Sequence, residues 1–446
     1  MSQATPARRA AFEAIRRTFE DGAWTDRAFA AIVARSGLEG RELAQARRLA
    51  YGAVQRRATT DHFAAQLARR RRRADAAAVA ALRLGLFELL FSDAAAEHAA
   101  VDQAVELAKG AASERGAPPG RARAAAGFVN AILRRAADER DALLASLDDS
   151  TPEGAALAHS YPEWLARMWW EELGAPEARL LMAAMDEPAE TAFRVNTLRA
   201  DAATAGASVA TIALPEALVV EAADEAVIAR VATGELVPQS RGSQAVVALL
   251  DPQPGERVLD LCAGPGIKTT AIAARMGDRG EVVSIERDPR RAEQIGELCE
   301  QTGVSCVEVR VADAAEADLG AGYDRVLLDP PCSDLGTLAS RPDARWRKSP
   351  ETIARVAKLQ RRLLVRAARA LAPGGSLVYS TCTISSAENE LVCAELERYV
   401  EGVQAVELGA EHPRLASRRD GRFLQILPQR DRTTGFFVAR FARGPG

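Results

Sequence analysis

Apolar residues recur every three or four positions through the first third of the chain, from residue 6 to about residue 142. Val79, Leu82 and Leu86 illustrate this spacing, which places apolar side chains on one face of a helix. The Pro118-Pro119-Gly120 stretch interrupts the pattern and predicts a loop between helices. We therefore predict that this third of the chain is entirely helical.

After Asp251-Pro252 short apolar runs alternate with amphipathic stretches. A long helix is predicted over residues 351 to 372, closed by Gly374-Gly375. Such alternation predicts a doubly wound, mostly parallel sheet, whose ligands bind at the carboxyl ends of the strands. The predicted strands lie near residues 257 to 262, 281 to 285, 306 to 311, 323 to 328, 376 to 380 and 435 to 441.

Between these two regions the pattern is weaker and predicts a linker with a small mixed α/β subdomain. The fold class is therefore α+β multidomain. We predict a helical domain over residues 1–145, the connecting subdomain over 146–240 and the sheet domain over 241–446. A length of 446 residues agrees with two or three domains.

Charge is unevenly distributed along the chain. The net charge is −3, but residues 1 to 150 carry 24 lysines and arginines against 19 acidic residues, whereas the remainder carries 34 against 42. Five consecutive arginines lie in the basic part, and contact with phosphates is favoured over the alternative of a solvated helix face. They are Arg69, Arg70, Arg71, Arg72 and Arg73.

The six cysteines form no C-x-x-C pair, and the four histidines match no zinc spacing. We expect reduced thiols and no metal site. The sequence has neither an apolar run long enough to span a membrane nor a secretory signal at its start, so we expect a cytoplasmic protein with no membrane partner.

A glycine-bearing turn follows the first strand of the sheet domain, in the run LDLCAGPGIKTT. Such a turn lets backbone amides approach a ligand at the start of a helix. Glu286 ends the next strand, where a carboxylate meets the hydroxyls of a ribose, and Asp313 follows the third strand on the side of the base. Together these features favour an adenosine-containing ligand over separate helix caps or solvated charges.

Two cysteines follow two other strands of the same sheet. Cys332 lies in the run LDPPCSDLGT, where the proline pair stiffens the loop after Asp329. Cys382 lies in the run YSTCTISSAENE. A buried structural role is the commoner fate of a single cysteine, but two thiols at the ends of two strands can meet in one pocket.

These three runs, in this order and spacing, resemble the RNA cytosine-carbon-5 methyltransferases of the NOL/NOP/Sun type. The runs LAYGAVQRR, LRLGLFELLF, HAAVDQAVELAK and GFVNAILRR resemble a NusB-like helical domain. The combination is similar to the RsmB branch, whose substrate is a cytosine of 16S ribosomal RNA. The resemblance implies a Rossmann-like class I methyltransferase domain and an enzyme that is dependent on S-adenosylmethionine.

The resemblance also implies a role for each residue of the site. Cys382 would attack carbon 6 of the cytosine, and Cys332 would assist removal of the carbon-5 proton. Asp329 would bind the base near ring nitrogen 3. Lys268 faces the reactive centre or only supports its loop. The implied cofactor residues are Cys262, Ala263, Gly264, Pro265, Gly266, Ile267, Lys268, Glu286, Asp313 and Asp329.

Ile267 stands where this family usually has glycine, so a positive φ there would strain the loop or weaken cofactor binding. A cytosine must also be unpaired or flipped out before a thiolate can reach it. Arg194, together with Arg345 and Trp346, is a weaker candidate for contacts near that base. We expect a monomer that binds 16S ribosomal RNA or a small-subunit assembly intermediate.

Three other functions are compatible with parts of the sequence. A DNA cytosine methyltransferase would use Cys332 as the nucleophile, and the Thr-Cys motif and the helical domain count against it. Another RNA, such as tRNA, could be the substrate, and a non-catalytic NusB-like RNA-binding factor would not need both thiols. An amino-methyltransferase would have an aromatic residue where Cys332 stands.

Overall fold

The computed structural model describes residues 4–68, 75–92, 96–202 and 206–445. The chain divides into two compact units, Met1–Asp186 with Leu338–Arg347, and Glu187–Thr337 with Lys348–Gly446. This division does not coincide with the predicted boundaries at residues 145 and 240. The connecting region is shared, because residues 146–186 contact the helices and residues 187–240 contact the sheet.

The first unit is helical, as predicted. Its helices are α1 (Pro6–Glu20), α2 (Thr25–Ser36), α3 (Gly40–Gln55), α4 (Arg57–Leu67), α5 (Ala76–Phe91), α6 (Glu97–Glu114), α7 (Pro119–Asp138), α8 (Arg140–Ala145), α9 (Pro152–Ala158), α10 (Glu163–Leu173) and α11 (Ala175–Ala184). A short 3-10 helix, η1 (Pro342–Trp346), belongs to the same unit.

Helix α5 is the centre of this unit, since nearly all of its residues are buried. Asp75 caps its first turn by accepting a hydrogen bond from the backbone N–H of Ala78. The one carboxylate of α5, Glu88, is buried but is paired with Arg8 of α1 at 2.6 Å. Burial of that charge is tolerable because its partner is buried with it.

Helix α9 is attached to α4 through hydrogen bonds. The hydroxyl of Ser160 accepts the backbone N–H of Ala58 at 2.8 Å, and Thr59 donates to the carbonyl of Leu157. These bonds explain why residues beyond 145 belong to the helical unit.

The second unit contains all the strands of the described residues. They are β1 (Thr191–Val195), β2 (Ala207–Val209), β3 (Ile212–Leu214), β4 (Ala217–Val220), β5 (Leu236–Pro238), β6 (Arg257–Leu261), β7 (Glu281–Glu286), β8 (Val307–Val311), β9 (Tyr323–Leu328), β10 (Leu371–Thr381), β11 (Val403–Ala405), β12 (Leu424–Ile426) and β13 (Phe436–Arg443). Its helices are α12 (Glu225–Ala232), α13 (Arg241–Leu250), α14 (Ile267–Arg275), α15 (Pro289–Thr302), α16 (Pro350–Arg369), α17 (Glu390–Cys393), α18 (Leu396–Tyr399), α19 (Leu408–Glu411) and α20 (Pro428–Asp431).

The main sheet has eight strands in the order β11-β13-β10-β9-β6-β7-β8, with β12 paired to β13. Strands β10, β9, β6, β7 and β8 are parallel, and β13 is antiparallel to β10. The strand order reverses between β6 and β9, which is the position where doubly wound sheets bind their ligands. The predicted Rossmann-like fold is confirmed.

One predicted boundary is wrong. Helix α16 ends at Arg369, and strand β10 begins at Leu371, before the two glycines that were expected to close the helix. Gly374 and Gly375 instead lie where the pairing of β10 with β9 shifts its register. A side chain on Gly375 would lie 2.8 Å from the carbonyl oxygen of Tyr323, so glycine is required by this close approach to the neighbouring strand.

The connecting subdomain contains two small sheets. One has the order β4-β1-β5, and the other pairs β2 with β3. Among the described residues, no helix is both long enough and apolar enough to cross a membrane.

Candidate active site

The glycine turn after β6 has the backbone conformation that its sequence predicts. Cys262 has a φ of 64° and Gly266 a φ of 100°, so the chain turns sharply before α14 begins. The backbone N–H of Gly264 donates to Glu286 Oε2 at 3.0 Å. A side chain on Gly264 would lie 2.5 Å from that oxygen, so only glycine lets the turn approach the carboxylate.

Ile267 is not strained. It is the first residue of α14 and is not among the described non-glycine residues with positive φ. Gly266, one position earlier, takes the left-handed conformation. A β-branched residue is compatible with the helical position, so the expected strain at Ile267 does not arise.

Two acids lie at neighbouring strand ends beside this turn. Glu286 is buried and also accepts the backbone N–H of Asp288 at 2.9 Å. Asp313 lies just beyond β8, and its side chain is 44% exposed. Val311, the last residue of β8, is exposed beside it. The carboxylates can accept hydrogen bonds from the hydroxyls of a ribose, and the exposed side chain of Val311 can pack against a flat base. This set of groups fits an adenosine.

The structure brings the two cysteines predicted for the site into contact. The Sγ atoms of Cys332 and Cys382 are 3.4 Å apart, although the residues are separated by 50 positions. Asp334 Oδ1 lies 3.3 Å from the sulfur of Cys382 and 3.6 Å from that of Cys332. The loops are joined by their backbones as well, since the N–H of Gly336 donates to the carbonyl of Cys382 at 2.9 Å. Both thiols are partly buried.

The contact between the sulfurs affects the two thiols in opposite directions. It lowers the pKa of Cys382, although burial and the charges of Asp334 and Asp329 outweigh it and leave that pKa above its ordinary value. The same contact raises the pKa of Cys332 well above its ordinary value, and burial adds to this. Both pKa values lie above the ordinary value, so burial and the neighbouring carboxylates hold the pair in its thiol form.

Lys268 and Asp329 form a second polar pair. Lys268 Nζ donates to Asp329 Oδ2 at 2.6 Å, and Ser380 donates to the other oxygen of Asp329 at 3.1 Å. Burial would lower the pKa of Lys268, but the charge and hydrogen bond of Asp329 outweigh it and raise the pKa. Lys268 thus remains positively charged, and its charge lowers the pKa of Cys382. Lys268 therefore acts on Cys382 through its charge and is held in place by Asp329.

Glu388 connects the loops that carry the two cysteines. One of its oxygens accepts the backbone N–H of Ser333 at 2.9 Å and the side-chain amide of Gln360 at 3.1 Å. The other accepts the hydroxyl of Ser333 and lies 3.4 Å from that of Thr383. Because Ser333 and Thr383 each adjoin a cysteine, this buried carboxylate fixes the distance between the thiols.

Sequence reasoning assigned no role to Asp334, Lys348 or Glu388. Asp334 and Glu388 lie within the runs that carried the resemblance, so their closeness to the cysteines was a usable signal. Lys348 Nζ, which pairs with Asp334 Oδ2 at 3.1 Å, follows a ten-residue segment that belongs to the other compact unit. No sequence signal indicated that contact.

Two of the predicted RNA contacts need correction. Arg194 is buried and donates to Gln239 and Thr270, and burial lowers its pKa to about 10. Arg345 is fully buried and donates to Asp186 at 3.2 Å. Neither guanidinium can reach a nucleic acid without unfolding its surroundings.

Trp346 is partly buried, and its indole N–H donates to the carbonyl of Val54 at 2.9 Å. The guanidinium of Arg57 also lies over its ring, 5.2 Å from the centroid, so one face of the ring is not available to stack on a base. The five arginines from Arg69 to Arg73 lie outside the described residues, so their role remains a prediction.

Known proteins are similar to this chain along nearly its whole length. The family model "16S rRNA methyltransferase RsmB/F" matches residues 247–442, and the NusB family model matches residues 5–138. A Mycobacterium tuberculosis protein described as a methyltransferase is 36% identical, with 98% of this chain and 96% of that protein covered. A Synechocystis protein named "Probable ribosomal RNA small subunit methyltransferase B" is 30% identical, with 98% and 99% covered.

Solved structures extend the likeness to the fold. The crystal structure of PH0851 superposes with a TM-score of 0.76 at 25% identity and covers 99% of both chains. The crystal structure of NSun6 from Pyrococcus horikoshii with SFG has a TM-score of 0.55 at 21% identity, covering 65% of this chain and all of that one. At 21% identity, the similarity to the NSun6 structure shows a shared fold alone.

The glycine turn, the two acids and the joined thiols lie within the region that the methyltransferase model matches, and the similarity to the Synechocystis protein extends over nearly the full length of both chains. The chain belongs to the RsmB/F family of S-adenosylmethionine-dependent ribosomal RNA methyltransferases.

Proposed function

We propose that this enzyme methylates carbon 5 of a cytosine in 16S ribosomal RNA through a covalent bond between Cys382 and carbon 6 of the base. The observation that carries the proposal is the 3.4 Å contact between the sulfurs of Cys332 and Cys382 at the ligand-binding edge of the sheet. A methyltransferase that acted on nitrogen or oxygen would have no need of two thiols, because those atoms are nucleophilic themselves.

Carbon 5 of cytosine is a weak nucleophile, and addition of a thiolate at carbon 6 moves electron density to it. Cys382 is assigned as that thiolate from its Thr-Cys motif, and the positive charge of Lys268 lowers its pKa. Cys332 is held as a thiol by its contact with the sulfur of Cys382. The charge of Lys268 therefore supports the assignment made from the Thr-Cys motif.

Lys268 and Asp329 act together on the base in this proposal. The proton at their 2.6 Å contact belongs to Lys268, so Asp329 can accept a hydrogen bond from the exocyclic amine of cytosine. As negative charge develops on the ring during addition, the proton shifts through Asp329 to ring nitrogen 3. Stabilisation of charge that exists only during reaction is what lowers the barrier.

Cofactor contacts are assigned to the glycine turn, Glu286 and Asp313. The two acids would bind the ribose hydroxyls and the adenine side, and residues 262–268 would surround the remainder. When bound, S-adenosylmethionine supplies an electrophilic methyl group, which carbon 5 takes up. Cys332 would give its own proton to Asp334 Oδ1, 3.6 Å away, and the resulting thiolate would accept the carbon-5 proton. The bond from Cys382 to carbon 6 then breaks as the double bond returns, and Cys382 leaves as a thiolate.

The RNA would be held by the basic N-terminal unit. A paired cytosine does not expose carbon 6, so the target must be single-stranded or flipped out. We assign phosphate contacts to the arginines Arg69 to Arg73 and none to Arg194 or Arg345.

The experiment is methyl transfer from labelled cofactor to small-subunit RNA by three proteins. Cys382→Ala should abolish transfer, because no adduct can form. Cys332→Ala should accumulate a protein–RNA adduct that survives denaturation, because the carbon-5 proton is not removed. Cys299→Ala, on α15 and remote from the thiol pair in sequence, should behave as the unmodified enzyme. If the outcomes of the first two variants were exchanged, Cys332 would be the nucleophile, as in a DNA-type enzyme.

A further inference from the structure

Cys332, Cys382 and Asp334 bring three potential metal ligands together. Among the described residues, these three side chains are the group of cysteine, histidine and acidic residues that could hold a metal ion. Their ligand atoms all lie within 4.8 Å of one another. The sequence spacing predicted no metal site, because the thiols are 50 positions apart and only the fold joins them.

The distances are close to those of a tetrahedral site. Zinc lies about 2.3 Å from sulfur and roughly 2.1 Å from carboxylate oxygen. Tetrahedral angles then place two sulfur ligands about 3.8 Å apart, and a sulfur and an oxygen about 3.6 Å apart. The corresponding separations are 3.4 Å between the sulfurs, and 3.3 and 3.6 Å from Asp334 Oδ1. Movements of a few tenths of an ångström would suffice.

Charge also suits a divalent cation. Lys268 is neutralised by Asp329, and Lys348 is bound to Asp334 Oδ2, which leaves Oδ1 directed at the sulfurs. With both thiols ionised, Cys332, Cys382 and Asp334 carry three negative charges against the single positive charge of Lys348. A divalent cation would cancel the remaining two. Two thiolates favour soft metals such as zinc and cadmium over magnesium or calcium.

We propose that Cys332, Asp334 and Cys382 form a binding site for a thiophilic divalent cation of the zinc class, with a fourth coordination position open to water. Binding replaces two S–H bonds with two metal–sulfur bonds and releases two protons to solvent. The site stands independently of the proposed function. Its consequence, that an occupied site withholds Cys382 from the pyrimidine and stops methyl transfer, rests on that function.

Cadmium is the probe, because cadmium–thiolate bonds add a charge-transfer absorption in the ultraviolet, which is measured as a difference spectrum against the metal-free protein. Titration of the reduced full-length protein should show absorption that saturates at one cadmium per chain, with release of about two protons. Cys332→Ala and Cys382→Ala should each remove most of that absorption, and Asp334→Asn should weaken binding at least tenfold.

Cys299→Ala is the matched control, because its thiol lies on α15 outside the ligand group, and it should bind cadmium as the unmodified protein does. Circular dichroism of every variant verifies folding. Absorption that persists in Cys382→Ala, or absence of saturable absorption in the folded unmodified protein, would overturn the proposal.

A methyl-transfer assay with added zinc separates the two hypotheses. Inhibition that a chelator reverses is expected if both hold. Saturable cadmium binding by a protein that does not methylate cytosine would remove the proposed function and leave the site. Methylation of cytosine by a protein that shows no saturable cadmium binding would remove the metal site and leave the proposed function.

Discussion

At the scale of single residues, Lys268 opposes the influences that keep Cys382 protonated. Burial and two carboxylates raise the pKa of that thiol, whereas the lysine and the contact with Cys332 lower it. Since only the thiolate attacks, the fraction of active enzyme should increase as the pH rises toward the pKa of Cys382.

Lys268→Met should shift this dependence to higher pH by about one unit or more, because it removes a positive charge and leaves the charge of Asp329 without its ion-pair partner. The measurement is the rate at which iodoacetamide alkylates Cys382, followed by mass spectrometry between pH 7 and 10. Lys358→Met, an exposed lysine on α16, is the control and should leave the profile unchanged. An unshifted profile in Lys268→Met would show that this charge does not act on the nucleophile.

Some residue roles could be read from the sequence and others could not. The two cysteines, Glu286 and the glycine turn all lie at strand ends, so the rule for parallel sheets predicts their convergence. The burial of Arg345 could not be predicted from the sequence, because its carboxylate partner Asp186 is 159 positions earlier and a basic residue beside a tryptophan gives no sign of burial.

At the scale of elements, the distance between the thiols depends on the loops after β9 and β10. Glu388 holds both loops through Ser333 and Thr383. It is buried, and burial raises its pKa despite the hydrogen bonds that it accepts. Removal of this carboxylate would leave several buried donors without a partner.

Glu388→Ala should lower the free energy of unfolding by about 2 kcal/mol or more, since unsatisfied buried donors are costly. Glu388→Gln should cost less, because a flipped amide can accept from the backbone of Ser333 and donate to the hydroxyls. Denaturant unfolding measures both values. A positioning role further predicts that kcat of the glutamine variant falls while KM for the cofactor is unchanged.

Equal stability of the alanine variant and the unmodified protein would contradict this account of Glu388. A change confined to KM for the cofactor would assign Glu388 to the glycine turn instead.

The elements themselves were largely predictable. Most strands of the parallel part of the main sheet contain a short apolar run, and such runs stand out when both faces are buried. Strand β8, at the end of the strand order, instead alternates apolar and charged residues and is at most partly buried. The end of α16 was misplaced, because glycine pairs commonly close helices and only the pairing of β10 with β9 shows that these two lie in a strand.

At the scale of the whole molecule, basic charge is concentrated in the N-terminal part, and the residues of the candidate active site lie in the C-terminal part. The division of the chain into two compact units could not be predicted from the sequence. Residues 338–347 belong to the helical unit, although they lie between strands of the sheet in the sequence. The basic run from Arg69 to Arg73 is the feature expected to bind RNA over a broad area.

Replacement of Arg69 to Arg73 by glutamine should weaken RNA binding and make it less sensitive to salt, because fewer counterions are released from the phosphates. Affinities measured by fluorescence anisotropy at several salt concentrations give both quantities. Replacement of the basic residues Arg355 and Lys358, which are exposed on α16, serves as a comparison. An unaltered salt dependence in the first variant would remove the run from the interface.

The most direct test of the central claim is to identify which residue bonds to the base. Small-subunit RNA containing 5-fluorocytidine retains the adduct, because fluorine cannot leave as a proton does. After nuclease and protease digestion, mass spectrometry should find the modified nucleotide on the peptide that contains Cys382. Its attachment to Cys332, or the absence of any adduct from protein that binds the RNA and the cofactor, would contradict the account.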